Sequence, residues 1–388
     1  MDLVVTKRDL FTNLPEELTI DILGRLPSKS IMTCKSVCQS WLDLIEGGRF
    51  KTSYTPKSCL SFTSGHMYTV YDDEAKEPLF KICLKFGTSV CFCDVIDSAN
   101  GLLFVRDFCN ILFVANPMTS EYVQLPPPST TSRPCLFGFG VSRISHQYKI
   151  LCGQEDSESC HVYTLGGGGS WGSISAPSSP RIRPTPLCDS AAFLNGNLHW
   201  LFQGEHLICC FDLETELFTI FSPPPLVPGC KKYHEYRLCA LEGQLCLCDC
   251  KGGCDVVIWK MNNYGDDNSW VQEYTFHLLP SIAPRFVGLV FPLKLLDNGD
   301  LLLTMDRDRD RLYIYSKNTE NVAVSNLLQQ FEGSYSYIIT YTPSFLSLVA
   351  TGIQNVQSLQ VNPPFVPYYL LPRLRRKVKV QRRLIDYI

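Results

Sequence analysis

Long apolar stretches are missing from this 388-residue sequence. No run reaches the length of about 18 residues that a helix needs to cross a bilayer. The first residues, MDLVVTKRDLF, carry four charges and lack the apolar core of a secretory signal. We therefore expect a cytoplasmic or nuclear protein with no membrane partner, whose 19 cysteines stay reduced.

Basic residues are also scarce over most of the chain. Residues 1–372 hold 28 Lys and Arg against 37 Asp and Glu, whereas seven basic residues fall within Arg373–Arg383. Nucleic-acid binding needs a broad basic surface, so we expect no nucleic-acid partner. The basic tail is compatible with a nuclear import signal, a contact with an acidic surface, or a solvated or packed end of the fold.

Recognisable cofactor and metal motifs are missing as well. The glycine run Gly166–Gly169 lacks the following Lys-Ser/Thr of a phosphate-binding loop, and no HExxH pair occurs. The sharpest metal candidate is Cys246-x-Cys248-x-Cys250-x3-Cys254. Zinc ribbons, however, separate paired ligands by about two to four residues, and alternation in a strand makes these cysteines small core residues. We expect no metal, no cofactor and no catalytic activity.

The segment from Asn13 to Ile45 has the apolar periodicity of helices. Asn13 is the predicted N-cap, Pro15 fits the first helical turn, and Pro27 ends the first helix. The first apolar stripe comprises Leu18, Ile22, Leu23 and Leu26. The second comprises Ile31, Cys34, Val37, Cys38, Trp41, Leu44 and Ile45. About forty residues cannot bury this surface alone, so part of it must meet a partner or another domain.

Three motifs in this segment resemble the F-box in the form common in plants. They read Leu14-Pro15-x-Glu17-Leu18, Ile22-Leu23-x-Arg25-Leu26-Pro27 and Cys34-Lys35-Ser36-Val37-Cys38-x-Ser40-Trp41. The resemblance implies that residues 10–50 dock on the Skp-type adaptor of a cullin–RING ubiquitin ligase, while the rest of the chain presents a substrate. An ordinary helical hairpin packed on its own domain is the alternative that periodicity alone allows.

The apolar edge of this F-box is expected to enter a groove of the adaptor. The residues predicted to bind the adaptor are Leu14, Pro15, Leu18, Ile22, Leu23, Leu26, Pro27, Ile31, Val37, Cys38 and Trp41. The sequence does not divide them between adaptor contacts and packing within the hairpin.

After Phe50 the apolar period changes from 3.6 to 2, which predicts short strands. Tight turns are predicted at Gly101, Gly196, Gly243 and Gly299, which are 95, 47 and 56 residues apart. The first interval is about twice the second, so a degenerate unit is expected around Tyr148–Cys152 and His161–Leu165. Weaker units are placed at Ser58–Tyr71 and Tyr335–Leu348.

Six or seven such units predict an all-β propeller, closed by pairing of Tyr337–Thr342 with the first unit. A β-sandwich is the alternative, which regular spacing over about 290 residues disfavours. The region also resembles the kelch-like F-box-associated region of plant F-box proteins, in which an Asn-Pro-x-Thr turn recurs. Asn116-Pro117-Met118-Thr119 reproduces that turn and Asp212–Thr215 is a variant of it, although kelch double-glycine motifs are not evident.

The predicted organisation is a small all-α F-box at residues 10–50, an all-β propeller of six or seven kelch-like blades at 55–350, and a C-terminal segment at 351–388. The predicted role is that of a non-catalytic substrate receptor in an SCF-type ubiquitin ligase. Its partners are a Skp-type adaptor, through it cullin, and an unknown protein substrate on the propeller. An oxidase-like propeller enzyme and an F-box scaffold acting outside ubiquitin transfer are the alternatives.

Overall fold

A computed structural model defines the fold. It describes residues 14–35, 37–47, 49–50, 54, 56–71, 78–87, 93–128, 136–154, 157–177, 191–202, 207–225, 234–251, 254–278, 289–305, 308–325 and 337–359. The predicted N-cap Asn13 and the basic tail Arg373–Arg383 therefore lie outside the described residues.

Three short helices occupy the N-terminal part: α1 (Glu16–Gly24), α2 (Ser28–Cys34) and α3 (Gln39–Glu46). Pro15 is the N-cap of α1 and Pro27 is the N-cap of α2. The prediction of Asn13 as the N-cap of the first helix is therefore wrong, and Pro15 lies one residue before the helical turn in which it was predicted. The second predicted stripe is divided between α2 and α3, because Cys38 is extended at φ −160° and ψ 163°. Val37 and Cys38 have low helix propensity, which favours a break there.

The strands described form six sheets, which are the blades of a β-propeller. Blade 1 contains β1 (Cys59–Ser64), β2 (Met67–Tyr71) and β3 (Phe80–Cys83). Blade 2 contains β4 (Cys93–Ala99), β5 (Leu102–Asp107), β6 (Leu112–Asn116) and β7 (Glu121–Gln124). Blade 3 contains β8 (Leu136–Val141), β9 (Tyr148–Gly153), β10 (Ser159–Thr164) and β11 (Trp171–Ser175).

The remaining blades have the same four-stranded antiparallel order. Blade 4 contains β12 (Ala192–Leu194), β13 (Asn197–Phe202), β14 (Leu207–Asp212) and β15 (Phe218–Phe221). Blade 5 contains β16 (His234–Leu241), β17 (Gln244–Lys251), β18 (Asp255–Met261) and β19 (Trp270–His277). Blade 6 contains β20 (Val290–Leu295), β21 (Leu301–Met305), β22 (Asp308–Ser316) and β23 (Asn321–Val324). The described residues thus give six blades within the predicted range of six or seven.

A C-terminal strand closes the ring. The strand β24 (Tyr337–Tyr341) pairs antiparallel with β1, so that Phe62 faces Ile338 and Cys59 faces Tyr341. It is the inner strand of blade 1, and the six inner strands β24, β4, β8, β12, β16 and β20 contact one another in that circular order. The predicted closure is confirmed, and it leaves β1 with a neighbour on both edges.

Tight turns join the inner strand of several blades to the second strand. Both residues of Asn100-Gly101, Asn195-Gly196 and Glu242-Gly243 have positive φ, the backbone conformation that type I′ turns require. Blade 3 falls in the long interval between Gly101 and Gly196 and instead turns through residues 142–147. Its strands β9 and β10 coincide with the predicted degenerate unit.

The residues after β24 form a strap over blade 2, defined here as residues 342–359. Its short strand β25 (Gln357–Ser358) pairs with β7 and gives this blade a fifth strand. The Nδ2 atom of Asn116 donates to the carbonyl oxygens of Ser344 at 3.0 Å and Leu346 at 2.6 Å. Any Cβ at Gly101 would lie only 2.1 Å from the Cβ of Ser344, so this glycine lets the strap approach the turn.

Candidate functional site

The helices leave apolar side chains in solvent. Leu18 and Ile22, one turn apart on α1, are 51% and 42% exposed, and Val37, between α2 and α3, is 60% exposed. Pro15, Pro27 and Cys38 are exposed too. We call Pro15, Leu18, Ile22 and Val37 the exposed helical surface. Large apolar groups in solvent are unfavourable for an isolated protein, so this surface is a candidate partner-binding site.

Other predicted site residues face inward. Leu23 and Ile31 are buried in a core that also contains residues of blades 1 and 2. Leu26 and Trp41 are half-buried and pack against the same core, and Leu14 is half-buried. The structure therefore brings the eleven predicted residues into one helical region and separates them by exposure. Leu23 and Ile31 hold the helices to the propeller rather than presenting a surface.

An aromatic cluster joins the helices to the propeller, and sequence reasoning missed it. The ring centroid of Phe345, in the strap, lies 6.4 Å from that of Phe50 and 5.8 Å from that of Tyr54. The Lys35 ammonium is 5.7 Å from the Phe345 centroid and 2.9 Å from the Glu46 carboxylate. No sequence pattern links these positions, because nearly all of the propeller sequence lies between Phe50 and Phe345 along the chain.

The helices adjoin one particular face of the propeller. Phe345 follows the end of β24, the end at which the other inner strands enter their tight turns. Lys57, just before β1, forms an exposed ion pair of 3.1 Å with Asp297 in the turn after β20. We call this the helix-proximal face. The opposite, distal face carries the turns between second and third strands, including Phe108, which is 81% exposed.

The cysteine cluster of blade 5 is part of the core. Cys246, Cys248 and Cys250 are buried on β17, and the Sγ atoms of Cys248 and Cys250 lie 3.9 Å apart. Burial raises the pKa of Cys246 to about 12, so its thiol stays protonated and a poor metal ligand at neutral pH. Among the residues that the structure describes, no three His, Cys, Asp or Glu side chains are grouped as metal ligands.

A buried histidine joins blades 4 and 5. His199 donates from Nδ1 to the Ala192 carbonyl oxygen at 2.9 Å and accepts at Nε2 from the Tyr264 hydroxyl at 2.7 Å. The Cys210 thiol lies 3.4 Å from the same hydroxyl. Burial lowers the pKa of His199 to about 4 and raises that of Cys210, so both groups are neutral near pH 7. The arrangement suits packing rather than nucleophilic chemistry.

A serine motif also lies outside a catalytic setting. The segment Gly168-Gly-Ser-Trp-Gly172 matches the GxSxG pattern of hydrolases. It connects β10 to β11 instead of leading from a strand into a helix, so it lacks the sharp elbow that exposes a nucleophile.

None of the helices within the described ranges is long and apolar enough to span a membrane.

Comparison with known proteins agrees with these two regions. Residues 58–332 match the F-box associated beta propeller domain, and residues 11–53 match the F-box domain. The chain belongs to the F-box associated beta propeller family. It is similar to F-box protein At3g07870 of Arabidopsis thaliana, with 27% identity over 88% of this chain and 89% of that protein.

Two further relatives from Arabidopsis thaliana span most of this F-box protein. Putative F-box protein At5g15660 is 26% identical over 81% of this chain and 76% of its own. F-box/LRR-repeat/kelch-repeat protein At1g09650 is 26% identical over 87% of this chain and 98% of its own. The combination of an N-terminal F-box with a six-bladed propeller is the form expected of a substrate receptor in SCF-type ubiquitin ligases.

Proposed function

We propose that this protein is the non-catalytic substrate-recognition subunit of an SCF-type cullin–RING E3 ubiquitin ligase. The F-box docks on a Skp-type adaptor, which connects it to cullin, and the propeller binds a protein substrate. The observation that carries this proposal is the exposed helical surface, because Leu18, Ile22 and Val37 stay in solvent while the same helices pack against the propeller elsewhere. Amphipathic helices that keep an apolar face free are suited to enter a hydrophobic groove.

The position of the helices supports different roles for the two propeller faces, with the adaptor on one side and the substrate on the other. An adaptor on the exposed helical surface lies on the helix-proximal side, so the distal face stays accessible for a substrate. Phe108 is a large exposed apolar residue on that face, and aromatic residues dominate the binding energy of many interfaces. The proposed place of action is the cytoplasm or the nucleus, where cullin–RING ligases work.

The direct test is co-purification of the full chain with a Skp-type adaptor. The double substitution Leu18→Glu and Ile22→Glu puts two charges into the proposed interface and should weaken adaptor binding by at least about a hundredfold, since each buried unpaired charge costs several kcal/mol. Phe108→Glu is the control, because it adds a charge at an exposed apolar site on the distal face. It should leave adaptor binding unchanged.

Two further outcomes bear on the proposal. Deleting residues 10–50 should abolish adaptor binding, and adaptor binding that survives this deletion contradicts the docking assignment. Reconstituted ligase containing the full chain should ubiquitinate a captured substrate, whereas the Leu18→Glu and Ile22→Glu variant should not. Normal adaptor binding without any ubiquitination of captured proteins would favour a scaffold role instead.

A further inference from the structure

Blade 4 ends in an outer strand whose far edge is open. The strand β15 pairs with β14 on one side, and no described strand lies on its other side. The same edge in blade 2 is covered, because β25 of the strap pairs with β7 as a fifth strand. An open edge presents a row of backbone donors and acceptors that can pair with a further strand.

The backbone of β15 directs hydrogen-bonding groups to this edge. The Asp212 amide donates to the Leu217 carbonyl oxygen at 3.0 Å, which makes these two residues a hydrogen-bonded pair between the strands. Such pairs alternate with non-bonded pairs along antiparallel strands, and the register places Phe218 and Ile220 in the non-bonded positions. The N–H and C=O groups of Phe218 and Ile220 therefore point away from β14.

The side chains along this edge are apolar and uncharged. Leu217 is 64% exposed and Ile220 is 44% exposed, and no charged residue lies between Leu217 and Ser222. The outer strand of blade 5 differs, because β19 carries Glu273 and His277. Proteins usually protect open edges with charged side chains, so an open apolar edge indicates that another segment covers it.

Exposed carboxylates lie at both ends of β15. Glu214 precedes the strand and is exposed. At the other end, the Trp270 Nε1 atom donates to the Ser222 carbonyl oxygen at 3.1 Å, which brings the turn with the exposed Asp266 and Asp267 towards the strand. In the described part of the chain none of these three carboxylates forms an ion pair. A segment that complements this edge is therefore apolar at its centre and basic on both sides.

One segment of this chain has that pattern. Residues 360–388 follow the strap and lie outside the described residues. Within them, residues 375–383 read RRKVKVQRR, in which Val378 and Val380 alternate with polar residues and basic residues stand on both sides. Alternating β-branched residues are typical of strands.

The connection between the strap and this segment is long enough to reach blade 4. Strands spaced about 4.8 Å apart place the outer strand of a four-stranded blade roughly 20 Å from the axis. Blades 2 and 4 are two places apart in the ring, so the path between their outer edges is about 45 Å. Residues 360–374 span up to about 50 Å when extended.

We propose that residues 375–383 pair with β15 as a fifth strand of blade 4, as β25 pairs with β7. The added strand supplies backbone partners for Phe218 and Ile220, its valines cover the apolar edge, and its basic residues meet the carboxylates at both ends. Pairing of two copies through β15 alone would bury far less than the roughly 1,200 Å² that a stable interface needs. A segment of the same chain instead has a high effective concentration at the edge.

Hydrogen exchange of the purified full chain tests this pairing. The Phe218 and Ile220 amides are followed by mass spectrometry with fragmentation to single residues. The variant with Val380→Pro and Gln381→Pro places proline at two successive positions, so that one lost donor faces β15 whichever way the strand runs. The two amides should exchange at least about tenfold faster in this variant than in wild type.

The matched control carries Val361→Pro and Asn362→Pro in the connection and should exchange like wild type. It makes the same kind of change without altering the charge or the proposed strand. Equal exchange of the two β15 amides in wild type and in the Val380→Pro, Gln381→Pro variant overturns the proposal. Protection that increases with protein concentration also overturns it, because it assigns the edge to a second copy.

A synthetic peptide of residues 373–385 identifies the surface. Added to the Val380→Pro, Gln381→Pro variant, it should restore protection of β15. Ile220→Lys in that variant puts a charge on the edge and should weaken peptide binding at least about tenfold relative to Val271→Lys, the control at a 38% exposed site on β19. Circular dichroism shows whether each variant is folded. Equal peptide affinity of the folded Ile220→Lys and Val271→Lys proteins, or no peptide binding at all, contradicts the proposal. No adaptor takes part, so the result is independent of the proposed ligase role.

Discussion

The packing of the helices on the propeller is predicted to depend on Phe345, whose side chain we expect to hold the helices in place. Its side chain is 4% exposed and lies between Phe50, Tyr54 and the Lys35 ammonium. Replacement by alanine removes the ring and leaves a cavity at the junction. Buried Phe-to-Ala changes cost about 3–5 kcal/mol, and the lost aromatic and cation–π contacts are included in that range.

The loss should be local rather than global. Phe345 lies after β24 and takes no part in pairing between strands, so the six blades keep their hydrogen bonds in Phe345→Ala. A cost of about 3–5 kcal/mol at a junction exceeds what a three-helix segment can withstand, because small units hold little stability of their own. We therefore expect the helices to separate from a propeller that remains folded.

Limited proteolysis with mass spectrometry measures this directly. Phe345→Ala should be cleaved rapidly between residues 35 and 58, while the fragment beginning near β1 resists. Phe345→Leu keeps most of the apolar volume and should behave much more like wild type. Phe108→Ala is the exposed control and should show no change. Equal cleavage rates in Phe345→Ala and Phe108→Ala would refute the assigned role of the cluster.

Further predictions address docking, pH and metal. Leu14→Ala with Pro15→Ala should weaken adaptor binding in a pull-down while helical content is kept. Trp41→Ala should weaken adaptor binding and also increase protease sensitivity, because its ring packs on the shared core. Equal protease sensitivity of the two variants would contradict the proposed difference between a docking role and a packing role. The pKa of His199 falls from 6.5 to about 4 on burial, so the unfolded state binds more protons and stability declines as pH decreases from about 6.5 to about 4. Chemical denaturation should show that His199 contributes a decline of about 3 kcal/mol in the free energy of unfolding over this pH range, and that His199→Gln lacks this contribution. Identical pH dependence of stability in both proteins would disprove the role of His199. Elemental analysis should find no stoichiometric zinc, and one zinc per chain that is lost in Cys248→Ser would overturn the core role of the cysteines.

Local chemistry determined much of this fold from the sequence. Helical spacing around Leu18 and Ile22 located α1. Pro27 was predicted to end that helix, and α1 ends shortly before it, at Gly24. Asn-Gly and Glu-Gly dipeptides marked turns between inner and second strands, because positive φ at both positions restricts the residues that fit. Each of these signals lies within a few residues of the structure that it specifies, which is why a single sequence reveals it.

Contacts between distant parts of the chain decided the rest. The separation of Leu18 and Ile22 from Leu23 and Ile31 depends on which side of the helices the propeller occupies. The aromatic cluster around Phe345 and the packing of the strap on blade 2 arise only when the ring closes. Periodicity shows which side of an element is apolar, but not what covers it. Ring closure set the number of blades and placed these residues together.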